Sequence, residues 1–245
     1  LLGWGADYPD PTNFLDYHFG KNSSPQFGAP IAAVYEPLMA AGSTADPAVR
    51  AAKYAEANNA LKANIPMIPV AHGGSALAFK ADITGAHSSP LGNEELSAMD
   101  PGGRDSIVWV QNGEPGGLYC ADETDGESLR VCGQIQEGLY GFKTGTAEVK
   151  PLLATKCEAS ADLLTWTCTL QKGVKFHNGK AMSSADVVAS FDRYNKVGIL
   201  RSMFGNVAGW EAPDANTFVI KMKAPYAWVE YSLGNHAGNF PAMMR

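Results

Sequence analysis

Leu164-Thr165-Trp166-Thr167-Cys168-Thr169-Leu170-Gln171-Lys172-Gly173-Val174-Lys175-Phe176-His177-Asn178-Gly179 is the stretch on which the fold turns. Thr165–Leu170 carries β-branched and aromatic residues and reads as a strand. Thr155–Ala159 just upstream reads as its partner, with a turn between them. Cys157 and Cys168 flank that turn at matched distances, where two side chains can meet at disulfide geometry. Closing so short a loop stabilises a fold by about 3 kcal/mol. Downstream, Lys175–Phe176 reads as another short strand, and His177 precedes a tight Asn178-Gly179 turn. That placement gives His177 a structural role.

Working outward, Ser183–Asn195 reads as a helix. Ser183 with Asp186 three residues on resembles a capping box, and Val187, Phe191 and Tyr194 form one apolar stripe. Thr217–Met222 reads as a strand, and Pro225–Leu233 opens a last helix. Upstream, Val149–Leu153 and Ile107–Gln111 read as strands. Glu127–Gly138 reads as a helix with Leu129, Ile135 and Leu139 on one side. Leu1–Trp4 suggests a short strand, Asp7–Asn13 a Pro-rich loop and Phe14–Phe19 a short helix. Ile31–Ala41 is predicted helical, with Val34 and Leu38 on one face. Asp46-Pro47 marks a clear helix start, and the Ala-rich run to Ala63 is expected to turn Val49, Ala52 and Leu61 inward. Ile65–Ala71 and Ala76–Lys80 read as strands. Residues 84–106 hold Ser88-Ser89-Pro90, Leu91-Gly92-Asn93 and Asp100-Pro101-Gly102-Gly103, the composition of a linker. Short strands and helices interleave without a regular βαβ rhythm, so the expected class is mixed α/β (α+β): a mixed sheet flanked by helices.

The chain has 245 residues, 45% of them hydrophobic, which suffices for one large domain or two small ones. Its net charge is −6 with no Lys/Arg cluster, which argues against a nucleic-acid partner. No apolar run reaches membrane-spanning length. The first residues lack an initiator Met and a basic-then-apolar leader, as after signal-peptide removal or in an excised piece. The four cysteines fall into two local pairs, Cys120/Cys132 and Cys157/Cys168. Four cysteines allow three connectivities, and four buried free thiols are the alternative. Disulfides would imply an oxidising compartment. The Cys and His spacings match no zinc site. Asp122–Glu127 invites a calcium reading but fails the EF-hand pattern, because Thr124 and Gly126 fill positions that need oxygen-rich ligands. No P-loop, GxSxG elbow, HExxH or dinucleotide fingerprint is present. The sequence therefore points to no catalysis and no cofactor.

The stretch from Trp166 to Gly179, with Ser184–Phe191 after it, resembles a hallmark of solute-binding proteins of the peptide and nickel type, which feed ABC importers. Gln134–Tyr140 and the loop from Glu114-Pro115 to Asp125-Gly126 are similar to further family motifs. So are Gly3-Trp4-Gly5-Ala6-Asp7-Tyr8-Pro9-Asp10-Pro11, the helix start Asp46–Tyr54 and the strand Ile65–Val70. In the family the Trp4/Asp7 block lies near the end and the Trp166 block near the beginning. Here the order is reversed, and the stretch between them is absent.

The resemblance implies a single lobe of a two-lobed clamp in circularly permuted order. Residues 1–85 would match the family's C-terminal part, 86–105 would join the old termini, and 106–245 would match the N-terminal part. Leu1 and Arg245 would then lie close together. The resemblance also implies a periplasmic or extracellular protein, or a lipid-anchored receptor in a parent protein. Its partners would be a peptide or small-molecule solute and an ABC permease, with no membrane insertion. In peptide-binding relatives the aspartate at the Asp7 position pairs with the ligand's α-ammonium, as charge-assisted bonding favours. The bland alternative is a carboxylate that satisfies loop N–H groups. Trp4 and Tyr8 would wall the cleft, or else be ordinary core aromatics. Tyr119, Asp122, Asp125 and Ser128 sit on the loop before a helix, a position that often faces the cleft. A lone lobe cannot enclose its ligand, so weak or absent binding is expected. The competing reading is a stand-alone folding unit, engineered or excised, with no binding role.

Overall fold

The computed structural model describes residues 4–6, 8–23, 25–74, 76–92, 94–123, 125–198, 201–234 and 243–244. Its central element is an antiparallel four-stranded sheet of order β4-β5-β7-β6, formed by β4 (Ala154–Ala159), β5 (Thr165–Leu170), β6 (Val207–Asp214) and β7 (Thr217–Met222). Cys157 pairs with Cys168 across β4 and β5, and the side chains form a disulfide there. A second disulfide joins Cys120 to Cys132. Both local pairs expected from the sequence are therefore made.

Helix α5 (Ser184–Val197) starts with the capping box read from the sequence. Ser183 caps the Asp186 backbone and Asp186 returns a bond to the Ser183 N–H. Its stripe of Val187, Phe191 and Tyr194 is fully buried on the sheet. Phe191 meets Phe218 of β7 edge to face at 4.7 Å and Phe204 at 5.8 Å, geometry that adds to simple area burial. Two short antiparallel pairs extend this core: β2 (Tyr140–Phe142) with β3 (Val149–Pro151), and β1 (Gln136–Glu137) with β8 (Met243–Met244). After β5, Lys175 bridges to Ala181 around the Asn178-Gly179 turn, where Gly179 takes φ +83°, a conformation that favours glycine.

A separate helical core forms from α1 (Asp16–Phe19), α2 (Ala32–Gly42) and α3 (Pro47–Asn64). Asp46 caps α3 by accepting from the Ala48 and Val49 N–H groups, with Pro47 at the first helical position. Phe19, Val34, Leu38, Ala41, Tyr54 and Ala57 are its buried residues.

Several expectations are corrected. The inward face of α3 is Arg50, Tyr54 and Ala57, at helical spacing, with Leu61 half-buried one turn on. Val49 and Ala52 face solvent, because polar partners on α1 and the preceding turn claim the inner positions. Ile65–Ala71, Ala76–Lys80 and Ile107–Gln111 form no ladder among the described residues, and Ile65 is the left-handed C-cap of α3. Pro66 and Pro69 lack the N–H that pairing needs, and Gly73-Gly74 interrupts the run. The helix expected to reach Gly138 is α4 (Gly126–Cys132); it ends at Gly133, and Ile135 is largely exposed. The stretch 84–100 is not a loose linker. Thr84 bridges Asp100, Glu94 is buried in an ion pair with Arg130 at 2.9 Å, and Gln134 holds the Glu94 carbonyl and the Leu96 N–H. Leu1–Gly3, Asp7 and Arg245 lie outside the described residues, and with them most of the first strand and the proximity of the termini.

Candidate ligand face

The loop after residue 4 and helix α1 place an aromatic face at the surface. Trp4 and Tyr17 are 40% and 38% exposed and stack at 4.8 Å between ring centroids. His18 meets Trp4 edge-on at 4.5 Å from beneath, itself buried, and burial lowers its pKa. The Trp4 indole N–H donates to Asn13 Oδ1 at 3.1 Å, which fixes the ring plane. Flat, half-exposed rings held by a polar tip suit an apolar or cationic ligand group.

Behind this face lies a buried polar network. Asp10 caps the turn Pro11–Asn13 by accepting from the Thr12 N–H at 3.0 Å, and Thr12 Oγ1 lies 2.6 Å away. Arg50, from α3, donates to Asp10 Oδ1 at 2.7 Å with both side chains buried. The guanidinium also lies 3.9 Å from the Trp228 ring centroid and 4.8 Å from that of Tyr54, and donates to the Tyr54 hydroxyl at 3.2 Å. Burial works against the charge on Arg50, but the bond and charge of Asp10 outweigh it and raise its pKa. Tyr54 in turn donates to Asp16 Oδ2 at 3.4 Å. Burial drives the Tyr8 and Tyr54 phenols well above their ordinary range and lifts Tyr226 to about 12.

The structure divides the sequence-predicted residues. Trp4 is on the exposed face. Tyr8 is buried, its hydroxyl 3.0 Å from Thr12 Oγ1. Asp7, between them in the chain, lies outside the described residues. Tyr119, Asp125 and Ser128 belong to the sheet unit instead. Tyr119 is half-buried under the Arg193 guanidinium at 4.3 Å, and Arg193 also forms a two-pronged pair with Asp122. Asp125 caps α4 through the Ser128 N–H at 2.8 Å, and the buried Ser128 hydroxyl accepts from the Gly116 N–H at 2.8 Å. His177 lies 3.2 Å from the Ile135 carbonyl. Sequence reasoning overlooked Arg50, Asp10, Asp16 and Trp228. The available signal was a lone Arg one helical turn before a Tyr in an otherwise Ala-rich helix.

A cavity of about 250 Å³ opens elsewhere, between the 89–97 loop and the β2–β3 hairpin; His177 lines it, but none of the residues expected to bind ligand does. The described residues hold no group of three His, Cys, Asp or Glu able to bind a metal ion. Among them no helix is long and apolar enough to cross a membrane.

Residues 148–244 match the family model of bacterial extracellular solute-binding proteins, family 5. The dipeptide-binding protein of Escherichia coli K12 is 38% identical over 99 residues, which are 36% of this chain and 18% of the relative. A glutathione-binding protein, GsiB, from Salmonella choleraesuis is 35% identical over 109 residues, 43% of this chain and 21% of the relative. Among solved structures, a Helicobacter pylori periplasmic binding protein, DppA, in complex with the peptide STSA is 27% identical with a TM-score of 0.47, over 54% of this chain and 29% of that one. The chain spans about a fifth of the length of the curated relatives it matches. The likeness to the family 5 extracellular solute-binding proteins lies in residues 148–244, less than half of the chain. Those relatives are binding proteins, not enzymes.

Proposed function

We propose that this chain is part of the ligand-receiving body of an extracytoplasmic solute-binding protein for an ABC importer, with a peptide-like solute. One observation carries the reading: a chain related to peptide-binding proteins through residues 148–244 also presents the Trp4–Tyr17 aromatic face, held by Asn13 and backed by the Arg50 network. On this reading Asp7, next to that face in sequence, takes the solute's ammonium group, Trp4 offers a wall, and Tyr8 shapes the loop from within. Tyr119, Asp125 and Ser128 shape the loop 114–128. The two disulfides agree with a periplasmic or extracellular location. The reversed motif order is read as a permuted single lobe: 1–85, a join at 86–105, and 106–245.

A ligand is held tightly when most of its surface is covered. A single face leaves half of it in water, so the isolated 245-residue chain is expected to bind di- and tripeptides weakly or not at all. Calorimetry showing micromolar or tighter binding by this chain would overturn the single-lobe reading. In a two-lobed parent, Asp7→Asn is expected to weaken peptide binding, and unchanged affinity would remove the ammonium role.

A further inference from the structure

The network behind the aromatic face is unbalanced in charge. It holds one guanidinium, Arg50, and two carboxylates, Asp10 and Asp16. Arg50 gives its short ion pair to Asp10. Half-buried Asp16, at the start of α1, receives a long bond from the Tyr54 hydroxyl at 3.4 Å. The groups that face it from the surrounding elements are few. Helix α3 brings Arg50 and Tyr54; the turn before α1 brings Asp10 and Tyr8; the segment before α6 (Val229–Leu233) brings Tyr226. Helix α2, packed on α1, carries only Tyr35 and the exposed Glu36 as titratable groups. Among the described residues of these elements, no second cation faces Asp16. Two carboxylates sharing one cation away from bulk water are best accommodated when one is neutral. Desolvation first, and then the charge of Asp10, raise Asp16 to about 7.

The position of this cluster gives the proton a consequence. Arg50 is where the helical core meets Trp228 of the sheet unit, and Asp16 directly precedes Tyr17, which stacks on Trp4. We propose that Asp16 is a proton-operated latch: with its proton the cluster is balanced and clamps the helical core and aromatic face onto the Trp228 segment, and without it the surplus negative charge loosens that junction. The latch concerns this chain's own stability and is independent of any ligand.

The sign follows from linkage. The folded state holds the Asp16 proton more tightly than the unfolded chain, so its stability falls as pH rises from the ordinary carboxyl range through about 7. The carboxylates that are lowered in the fold, Glu95, Asp125 and Asp186 among them, act at more acid pH. His18, held neutral by burial, runs the other way below its ordinary pKa, and its effect cancels when wild type is compared with Asp16→Asn. Melting of both proteins is to be followed from about pH 5.5 to about pH 8.5 at fixed ionic strength. The wild type is expected to lose roughly 5 °C across that window. Asp16→Asn is expected to fall less and to melt above wild type at the alkaline end. Equal slopes, or a variant that melts lower at alkaline pH, overturn the latch. If the variant does not fold, carbon-detected NMR titration of the wild-type Asp16 carboxyl decides. A midpoint near 7 supports the latch, and one in the ordinary carboxyl range overturns it.

Discussion

Two irregular stretches meet opposite fates in this chain. Residues 84–100 are rich in Ser, Pro, Gly and Asn, yet they are pinned: Glu94 is buried against Arg130, His87 Nε2 accepts from the Glu95 N–H, and Ser89 and Met99 are buried. Residues 106–111 hold a β-prone apolar run, Ile107-Val108-Trp109-Val110, yet Val108 and Val110 are each 86% exposed and the run joins no ladder among the described residues. Ile68 and Val70, in the run Ile65–Ala71, are 82% and 78% exposed. Composition favours order for the second stretch and looseness for the first. What decides is whether backbone and buried polar groups find partners. The first stretch finds them in α4; in the second only side chains do, Trp109 against Phe79 and Arg130 and Gln111 to Arg130 and the Glu127 carbonyl, while its backbone joins no ladder among the described residues.

Three substitutions probe that contrast. The largest effect is expected at Arg130→Ala, which leaves the Glu94 carboxylate buried without its cation. It should cost about 3 kcal/mol in urea unfolding, and a loss near zero would mean that 84–100 is held by something else. Gly85→Ala should cost less, about 1–2 kcal/mol. Gly85 sits at φ +70°, and an added Cβ would stand 2.2 Å from the Ala98 carbonyl oxygen, so the loop must shift to admit it. The smallest effect belongs to the second stretch. Val108→Thr should change stability by less than about 0.5 kcal/mol, as an exposed substitution does. A loss above about 1 kcal/mol would show that another surface covers the run, erasing the distinction between the two stretches.

The readable parts of the sequence were those whose partners lie close by in the chain. The β4–β5 hairpin with its Cys157–Cys168 link, the capped α5 and the Asp46 cap of α3 all depend on neighbours within a few turns or one hairpin. The inward face of α3 was not readable from apolarity. Arg50 and Tyr54 look like surface residues until Asp10, 40 positions away, supplies the charge that lets the guanidinium be buried. The same holds for 84–100, whose anchors come from Arg130 of α4 and from Gln134 just past its end. At the ligand face, Trp4 and Tyr8 were flagged through the family resemblance. The network that supports them was invisible, because it assembles three segments that no local pattern connects.

That assembly has a consequence in chain entropy. Arg50 closes one loop back to Asp10 and another, roughly four times longer, forward to Trp228. Loop-closure cost grows only with the logarithm of length, about 0.6 kcal/mol per doubling, so the longer reach costs only about 1.2 kcal/mol more than the shorter one. Extra residues between α3 and the sheet unit would therefore burden this junction little. Replacing any of the three side chains that meet at the guanidinium removes contacts that no change in loop length restores.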